Sequence, residues 1–273
     1  MMRCALILSA LLGSAAAAVA QSKDFTVRWH GQSFFTVTAP SGKVVAFDPH
    51  VMREFERKDP IKADFVCVSH PHNDHNRVEE AIADGKDEKK VKVFNGLKLD
   101  TKPVDPDRPK PADWNKIDEK VKVGDASYRF RNFPCYHDEM SGLKRGKNAL
   151  FVVEIEGLTF CHAGDLGHTF TDAEIKIIGK IDVLFVPVGG NFTLNGETAK
   201  ELADQLKPRL QIVPMHFAVD NQPDTLLAPD EFLDSFDEKQ VQKLVDTNEL
   251  IIAADAKAEK PTVTLLNWEK KKK

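Results

Sequence analysis

One short segment constrains the fold of this chain more than any other. Residues 69–75 read SHPHNDH and hold three histidines and an aspartate, His70, His72, Asp74 and His75. The apolar run 63–68 before them is typical of a buried strand, because it is short, β-branched and aromatic. Side chains that leave one strand end together can converge on a point, and imidazole and carboxylate groups are ligands of zinc, iron and manganese. The segment therefore predicts a metal site at a strand end.

Three further candidate ligands occur later in the chain, each after a predicted strand. They are His137, Asp165 and His216, which follow the runs 127–133, 158–161 and 211–214. Open α/β folds collect their functional groups at the carboxyl ends of strands, so we expect all seven side chains to meet. Seven ligands exceed what one tetrahedral zinc requires, which favours two metal ions that share a ligand.

The order and spacing of these ligands resemble the metallo-β-lactamase superfamily. The similarity runs from about Phe25 to about Phe217. It implies an α/β fold of the αββα sandwich type, in which two packed sheets lie between outer helices. It also implies a division of the ligands into His70, His72 and His137 for one metal, Asp74, His75 and His216 for the second, and Asp165 as the bridge.

Phrases around the ligands resemble one branch of that superfamily, the metal-dependent hydrolases related to ascorbate-6-phosphate lactonase. The phrases are WHGQSFF at 29–35, FDP at 47–49, HAGD at 162–165, PVGGNFT at 187–193 and PMH at 214–216. That branch usually carries a histidine after the glycine of the first phrase. This chain has His30 before Gly31 and Gln32 after it, so a role inherited from that histidine is not carried over.

Four residues are candidates for supporting the chemistry. Asp74 and His168 are the predicted catalytic residues, with His168 as a proton donor. His162 and Asp48 are expected to hydrogen-bond metal ligands and hold them in orientation. A purely structural role explains His162 equally well.

The walls of the pocket are expected to come from loops. Gly190 and Asn191 follow a predicted strand and are expected to bind substrate through backbone N–H groups that face an anionic group. A tight turn that needs positive φ explains the same residues. The segment 100–113 holds four prolines and predicts an irregular loop that either overhangs the site or connects surface elements.

The first residues of the chain have the pattern of a targeting sequence. Residues 1–20 combine an early positive charge, an apolar core and small residues at the end, which predicts a signal peptide cleaved after Ala20. Residues 21–273 are then a single domain, periplasmic or secreted, with no membrane anchor. Three cysteines lie in that domain, Cys67, Cys135 and Cys161. Their odd number argues against a disulfide framework and leaves one Cys135–Cys161 bridge open.

Secondary structure beyond the ligand strands is also expected. Helices are predicted at 77–83, 197–206 and 230–245, and further strands at 149–155, 183–188 and 262–266.

The charge of the chain argues against one class of partner. It has 38 Lys and Arg against 42 Asp and Glu, a formal net charge of −4. Generic binding to nucleic acid needs a basic face, so no nucleic acid is expected and the substrate is predicted to be a small molecule. No pattern fixes an oligomeric state.

These features lead to one main functional hypothesis with alternatives. It is an exported dinuclear metal-dependent hydrolase in which metal-bound hydroxide attacks an ester or a lactone. The cofactor is expected to be two divalent ions, zinc first, with manganese or iron as alternatives. The same site suits a phosphodiesterase, iron would support redox chemistry, and a binding protein would keep the fold without turnover. The sequence has no Gly-x-Ser-x-Gly elbow and no P-loop, so no other nucleophile motif competes.

Overall fold

The computed structural model describes residues 23–55, 60–82, 91–98, 113–220 and 225–268. The predicted signal peptide at 1–20 and most of the segment 100–113 lie outside these residues.

Strands make up most of the regular secondary structure in the described chain. They are β1 Asp24–Trp29, β2 Phe35–Thr38, β3 Val44–Phe47, β4 Phe65–Val68, β5 Lys92–Asn95, β6 Asp118–Val123, β7 Ala126–Tyr136, β8 Lys147–Ile155, β9 Leu158–His162, β10 Val183–Pro187, β11 Gln211–Met215, β12 Val241–Leu244, β13 Glu249–Ala253 and β14 Thr262–Leu266. The α-helices are α1 Val78–Ala81, α2 Asp172–Ile178, α3 Gly196–Leu206 and α4 Asp230–Leu233, with short 3₁₀ turns at Arg53–Phe55 and Glu238–Gln240. Among these helices, none combines the length and apolar composition needed to cross a membrane.

The strands form two mixed sheets. One has the order β13-β1-β2-β3-β4-β5, and the other the order β12-β14-β11-β10-β9-β8-β7-β6. In the first sheet β3 and β4 are parallel neighbours. In the second, β9, β10 and β11 are parallel, and β7 runs in the same direction because it is antiparallel to β8, which is antiparallel to β9. Within each sheet, the carboxyl ends of these parallel strands lie on the same side, and the loops that follow them start there.

Aromatic side chains join the two sheets face to face. Phe35 of β2 stacks on Phe185 of β10 with ring centroids 4.3 Å apart, and Phe94 of β5 stacks on Phe130 of β7 at 4.1 Å. All four rings are 4% exposed or less, so their apolar area contributes to one continuous core.

Helices cover the outer faces of the sheets. On the six-stranded sheet, Ala81 of α1 and the following Ile82 pack with Val66 and Val68 of β4. On the other sheet, α3 packs against β10 and buries residues at helical spacing, Ala199, Leu202, Ala203 and Leu206. The layer order is helix, sheet, sheet, helix, which confirms the predicted αββα sandwich.

Two of the predicted helices needed correction. The helix predicted at 230–245 is wrong: only Asp230–Leu233 is α-helical, and Val241–Leu244 is strand β12. The 241–244 segment pairs in parallel with β14, and this long-range pairing overrides its local helix propensity. The helix predicted at 77–83 shrinks to the single turn Val78–Ala81.

The three cysteines are free thiols in the core. Cys67, Cys135 and Cys161 are buried and unpaired, so the Cys135–Cys161 bridge left open by the sequence does not form. Burial raises the pKa of the Cys135 thiol to about 12, which keeps it protonated. These residues act as small apolar side chains.

Candidate metal centre

All seven predicted metal ligands converge at the edge where the loops meet. They form two groups whose donor atoms lie within 4.8 Å of one another, His70, His72 and His137 in the first, and Asp74, His75, Asp165 and His216 in the second. Asp48 forms a third such group with His70 and His75.

Asp165 lies where the two groups meet. Its Oδ2 is 3.1 Å from Nε2 of His75 and 3.1 Å from Nε2 of His137. The same oxygen is 3.3 Å from Nε2 of His216 and 3.8 Å from Nε2 of His70. One carboxylate therefore faces donors of both groups, which is the position that a bridging ligand requires.

The tight turn before Asp165 depends on a glycine. Gly164 has a φ of +55°, and a Cβ there would lie 2.5 Å from Oδ1 of Asn148. That oxygen accepts the N–H of Asp165 at 3.3 Å, while Asn148 Nδ2 donates to Ala163 O at 2.8 Å. Asn148 of β8 thus holds the turn, and only glycine leaves room for it.

Asp48 organises the histidine-rich loop from the neighbouring strand. Its carboxylate accepts hydrogen bonds from Ser69 N at 2.7 Å and Ser69 Oγ at 2.6 Å. Its Oδ2 also lies 2.8 Å from Nδ1 of His75, so Nε2 of that ring faces the cluster. The carboxylate thus fixes both the start of the loop and the orientation of one ligand.

Two histidines of the first group, His70 and His137, are oriented in a similar way. Nδ1 of His137 bonds to Phe192 O at 3.0 Å, and Nδ1 of His70 lies 2.9 Å from Ser69 Oγ. Nε2 of His70 then faces Nδ1 of His72 at 2.9 Å. One ring nitrogen from each of His70, His72 and His137 therefore faces the other two. A cation placed between the three nitrogens would bind all of them.

The charge states of His70, His72 and Asp165 suit a metal. Burial and the neighbouring His137 lower the pKa of His72 to about 4, and burial with His75 lowers the pKa of His70 well below its usual value. Burial alone would raise the pKa of Asp165, but the imidazoles around it hold that pKa well below its ordinary range. Metals bind neutral imidazole and ionised carboxylate, so these donors fit.

Two buried nitrogens of the second group remain unsatisfied. Nε2 of His75 and Nδ1 of His216 are buried and have no hydrogen-bond partner among the described residues. Nε2 of His75 lies 3.1 Å from Asp165 Oδ2. A buried polar atom without a partner carries a free-energy cost, and a cation held by the second group would offset it at His75. The residues present therefore fit a metal site.

Strained backbone also concentrates at this edge. Gln32, Asp48, Asn191 and His216 have φ between 47° and 51°, the left-handed region that non-glycine residues rarely adopt. Such strain persists where the surrounding structure fixes it, which is common at functional sites.

The structure places His168 and His162 against the main chain. Nε2 of His168 accepts the N–H of Tyr136 at 3.0 Å, and its Nδ1 bonds to Thr169 O at 2.7 Å. Both nitrogens are occupied there, and His168 belongs to neither ligand group. His162 bonds to Ser33 O at 2.8 Å and accepts Gly164 N at 3.2 Å. His162 therefore influences the candidate ligands through the backbone of Ser33 and Gly164 rather than by direct contact.

The loop after β10 borders the cluster. The N–H of Gly190 donates to Leu194 O at 2.9 Å, and Asn191 Nδ2 donates to Thr225 O at 2.6 Å. The N–H of Gly190 and the side-chain amide of Asn191 are thus bonded within the protein. A substrate-binding role for the two residues stays a prediction. Nη2 of Arg145 donates to Asn191 O at 2.7 Å, and its guanidinium lies 4.6 Å from the ring centre of Phe192.

Several site residues were not predicted from the sequence. Ser33 Oγ lies 3.5 Å from Asp165 Oδ1, and Gln32 Nε2 lies 3.3 Å from Asp74 Oδ2. Asn148 supports Asp165 from the middle of the fold. Ser33 and Gln32 stand in the WHGQSFF phrase, which was the available signal, whereas nothing near Asn148 in sequence marks it.

Asp138 fixes the loop that follows the ligand His137. One carboxylate oxygen accepts the N–H groups of Met140 and Gly142 at 2.8 and 2.9 Å. The other accepts those of Lys144 and Arg145 at 3.0 and 2.7 Å. Four hydrogen bonds to the buried carboxylate of Asp138 hold this loop in one conformation beside the site.

Asp138→Asn is expected to lower the free energy of unfolding by about 2–3 kcal/mol. An amide has only one accepting oxygen, so its NH₂ would face two N–H donors. Urea denaturation measures the change, with Asp125→Asn in an exposed turn as the control. Equal midpoints for the two variants would contradict this account of the loop.

Known proteins similar to this chain agree with the fold and the site. The beta-lactamase superfamily domain matches residues 26–216. A UPF0173 metal-dependent hydrolase of Bacillus licheniformis is 30% identical over 205 residues, which is 70% of this chain and 85% of that protein. A solved structure from Thermotoga maritima, assigned to the zinc-dependent hydrolases of the metallo-β-lactamase superfamily, is 28% identical with a TM-score of 0.61, covering 88% of this chain and 97% of that one.

A second solved structure supports the fold alone. Igni18, a metallo hydrolase from Ignicoccus hospitalis, is 20% identical with a TM-score of 0.52, covering 78% of this chain and 90% of that chain. With these similarities and the metallo-β-lactamase fold, the chain belongs to the beta-lactamase superfamily and, within it, to the UPF0173 family of metal-dependent hydrolases. The prediction that it is an enzyme of this type is confirmed.

Proposed function

We propose that this protein is a dinuclear metal-dependent hydrolase that cleaves an ester or a lactone. The observation that carries the proposal is the position of Asp165, whose Oδ2 faces histidines of both ligand groups. His70, His72 and His137 would hold one ion and Asp74, His75 and His216 the other, with Asp165 shared. We further propose zinc as the ion in both positions, because histidine nitrogen and carboxylate oxygen are its common ligands, with manganese and iron as alternatives.

Bound divalent ions would lower the pKa of a water toward neutrality and polarise the carbonyl oxygen of an ester. The protein itself contributes a carboxylate at the open side of the cluster. The Asp74 side chain is 30% exposed, whereas those of His75, Asp165 and His216 are 3% exposed or less. Within the second group, Asp74 is thus the ligand that meets the solvent and an incoming substrate.

Asp74 is suited to accept a hydrogen bond. Burial alone would raise the pKa of its carboxyl, but the His75 imidazole beside it outweighs burial and holds that pKa well below the usual range. The carboxylate is therefore ionised at neutral pH, and we assign it the role of orienting an attacking water by accepting its hydrogen bond. His168, whose nitrogens bond to the main chain, is not assigned a proton transfer in this scheme.

The proposed substrate class and location rest on the sequence. A mildly acidic chain with no basic cluster beside its motifs favours a neutral or weakly charged small molecule over nucleic acid. The lactonase-like phrases favour a cyclic or simple ester. Export to a periplasm or beyond rests on residues 1–20, and stays a prediction with the cleavage after Ala20.

Hydrolysis assays with a ligand variant test this function. Zinc-loaded protein is expected to hydrolyse γ-butyrolactone or p-nitrophenyl acetate with a kcat/KM at least about 10²-fold above that of His72→Ala. Bis-p-nitrophenyl phosphate is included because the same donor set would serve a phosphodiesterase. Equal rates for the two proteins on the lactone and the ester would overturn the proposal, and turnover of the phosphodiester alone would replace its substrate class.

A further inference from the structure

Exposed apolar side chains gather at the end of the molecule that holds the metal centre. In the part of the chain that the structure describes, nine large apolar side chains are exposed. Five of them lie on the segments that follow β3, β7, β10 and β11, namely Val51, Met140, Leu143, Phe192 and Leu227. Three of these strands also lead directly into Asp48, His137 and His216. Single exposed apolar residues are normal on a protein surface, whereas a group of them marks a binding surface.

The described turns at the opposite end of the sandwich offer a contrast. Residues 39–43, 124–125 and 156–157 join β2 to β3, β6 to β7 and β8 to β9. Their sequences, APSGK, GD and EG, contain no large apolar residue. The exposed apolar side chains around the metal centre are therefore not a general property of the loops in this fold.

Four of these side chains belong to one surface, which we call the apolar rim: Met140, Leu143, Phe192 and Leu227. Leu227 lies against the loop after β10, because its N–H donates to Gly189 O at 2.8 Å. Its Cδ1 also lies so close to Gly190 that a Cβ on that glycine would be 2.8 Å away. The segment that carries Leu227 and the loop that carries Phe192 are thus in contact.

Arg145 connects that loop with the loop after β7. Its Nη2 donates to Asn191 O at 2.7 Å, and its guanidinium lies 4.6 Å from the ring centre of Phe192. Arg145 belongs to the loop 138–146, which also carries Met140 and Leu143. The rim therefore extends continuously over three segments of the chain.

The loop that presents Met140 and Leu143 is fixed from inside. The buried carboxylate of Asp138 accepts four of its backbone N–H groups at 2.7–3.0 Å. Leu143 is nevertheless 80% exposed, and the other rim side chains are 37–47% exposed. A fixed loop that keeps apolar side chains in water forgoes the stability that their burial would give, which favours a binding role for them.

The rim borders the open side of the first ligand group. The carbonyl oxygen of Phe192 lies 3.0 Å from Nδ1 of the ligand His137. The ring of His137 is 5.2 Å from that of His72, measured between ring centres. His72 is partly exposed, whereas His70 and His137 are buried, so the group meets the solvent at His72. A substrate that reaches the metal centre at His72 therefore passes close to Phe192.

We propose that the apolar rim binds a hydrocarbon chain on the acyl part of the substrate. The preferred ester or lactone then carries a long apolar acyl chain rather than a short one. This inference rests on the proposed ester or lactone hydrolysis and narrows its substrate class. Each methylene group placed against the rim is expected to favour binding by about twofold, because half-exposed side chains cover a chain only in part.

An anionic lipid surface fits the rim less well than a substrate chain. The protein has a formal net charge of −4. Lys144, which is adjacent to Leu143 in sequence, is paired with Glu139 at 2.7 Å. Both features leave little positive charge to attract anionic lipid. The contact between Phe192 and the ligand His137 also places the rim beside the reacting centre, where a substrate chain would lie.

A triple variant, Met140→Ser with Leu143→Ser and Leu227→Ser, tests the proposal. It removes most of the rim and keeps Phe192, whose ring contacts Arg145. Binding of octanoate and butyrate to the zinc-loaded proteins is measured by calorimetry. These carboxylates share a head group and differ by four methylene groups. The wild type is expected to bind octanoate about tenfold more tightly, and the variant to lose most of that ratio while its affinity for butyrate stays within about twofold.

The matched control is a second triple variant, Val93→Ser with Ile177→Ser and Ile251→Ser. These side chains are also exposed and apolar, but they lie on β5, α2 and β13, outside the rim. The control is expected to keep the wild-type ratio of affinities. Both variants replace exposed side chains, so their thermal midpoints are expected to stay close to that of the wild type.

Four results would overturn the inference. The first two are equal affinities of the wild type for the two acids and a ratio that persists in the rim variant. The third is a wild-type dimer that dissociates in the rim variant, measured by light scattering, which would make the rim a subunit interface. The fourth is binding of the wild type, but not of the rim variant, to phosphatidylcholine vesicles without a preference for octanoate, which would make lipid the occupant.

Turnover is measured separately from binding. Wild-type hydrolysis of p-nitrophenyl butyrate reports on the proposed reaction, whereas the ratio of octanoate to butyrate affinity reports on the rim. A protein that prefers octanoate through the rim but cleaves no ester would refute the proposed hydrolysis and leave the rim as a binding site for an apolar chain.

Discussion

Replacing Asp165 by alanine is expected to remove bound metal and to lower kcat/KM by about 10³-fold or more. The expectation follows from the contacts of its Oδ2 with His75, His137 and His216, at 3.1, 3.1 and 3.3 Å. Without this carboxylate, the two ligand groups lose their shared anion. The imidazoles would then have to hold two cations with one negative charge fewer.

Elemental analysis and circular dichroism of Asp165→Ala measure this effect. Asp172→Ala, at the exposed start of α2, is the control and is expected to retain the metal content of the wild type. Loss of metal with an unchanged far-UV spectrum would separate ligand loss from misfolding. An Asp165→Ala protein that keeps its full metal content would contradict the bridging role.

Asp48→Asn is expected to weaken metal binding by about 10–100-fold. The carboxylate accepts three hydrogen bonds, from Ser69 N, Ser69 Oγ and His75 Nδ1. An amide of the same shape can satisfy only part of that set, since its NH₂ is a donor. His75 then loses the bond that directs its Nε2 toward the second ligand group.

A competition titration against a chromophoric chelator measures the affinity of Asp48→Asn. Asp64→Asn is the matched control, because Asp64 also accepts a backbone N–H, from Val44 at 2.9 Å, and belongs to neither ligand group. It is expected to lose stability but not metal affinity. Equal affinities for Asp48→Asn and the wild type would show that the orientation of His75 does not depend on Asp48.

The convergence of the seven candidate ligands was predictable because each of them follows a strand end in sequence. His70, His72 and His75 leave β4 within one loop, and Asp165 follows β9 after a short turn. Apolar runs mark these strands, and parallel strands bring their carboxyl ends to one edge. Local pattern and topology therefore agree on the same place.

The supporting residues could not be predicted in the same way. Asn148 lies in the middle of β8 and reaches Asp165 only because β8 pairs with β9. Strand β12 was predicted as helix because its pairing with β14 is a long-range contact. The sequence of edge strand β6 is rich in charged residues and resembles that of a solvated loop. Its strand conformation depends on pairing with β7, which the local sequence does not reveal.

The hydrogen-bond partners of His168 and Gly190 show a further limit of sequence patterns. Each residue lies near a ligand in sequence, but His168 bonds to the main chain of Tyr136 and Thr169. The N–H of Gly190 is used by Leu194. Hydrogen-bond partners of this kind depend on loop conformation, which a spacing of residue types does not encode.

Zinc titration of the metal-free wild type tests the central claim most directly. Lactone or ester hydrolysis is followed as the metal is added, and bound zinc per chain is counted by elemental analysis. We expect activity to rise until close to two ions are bound per chain, because two donor groups share Asp165. Saturation at one ion per chain, or hydrolysis that does not depend on added metal, would contradict the dinuclear hydrolase.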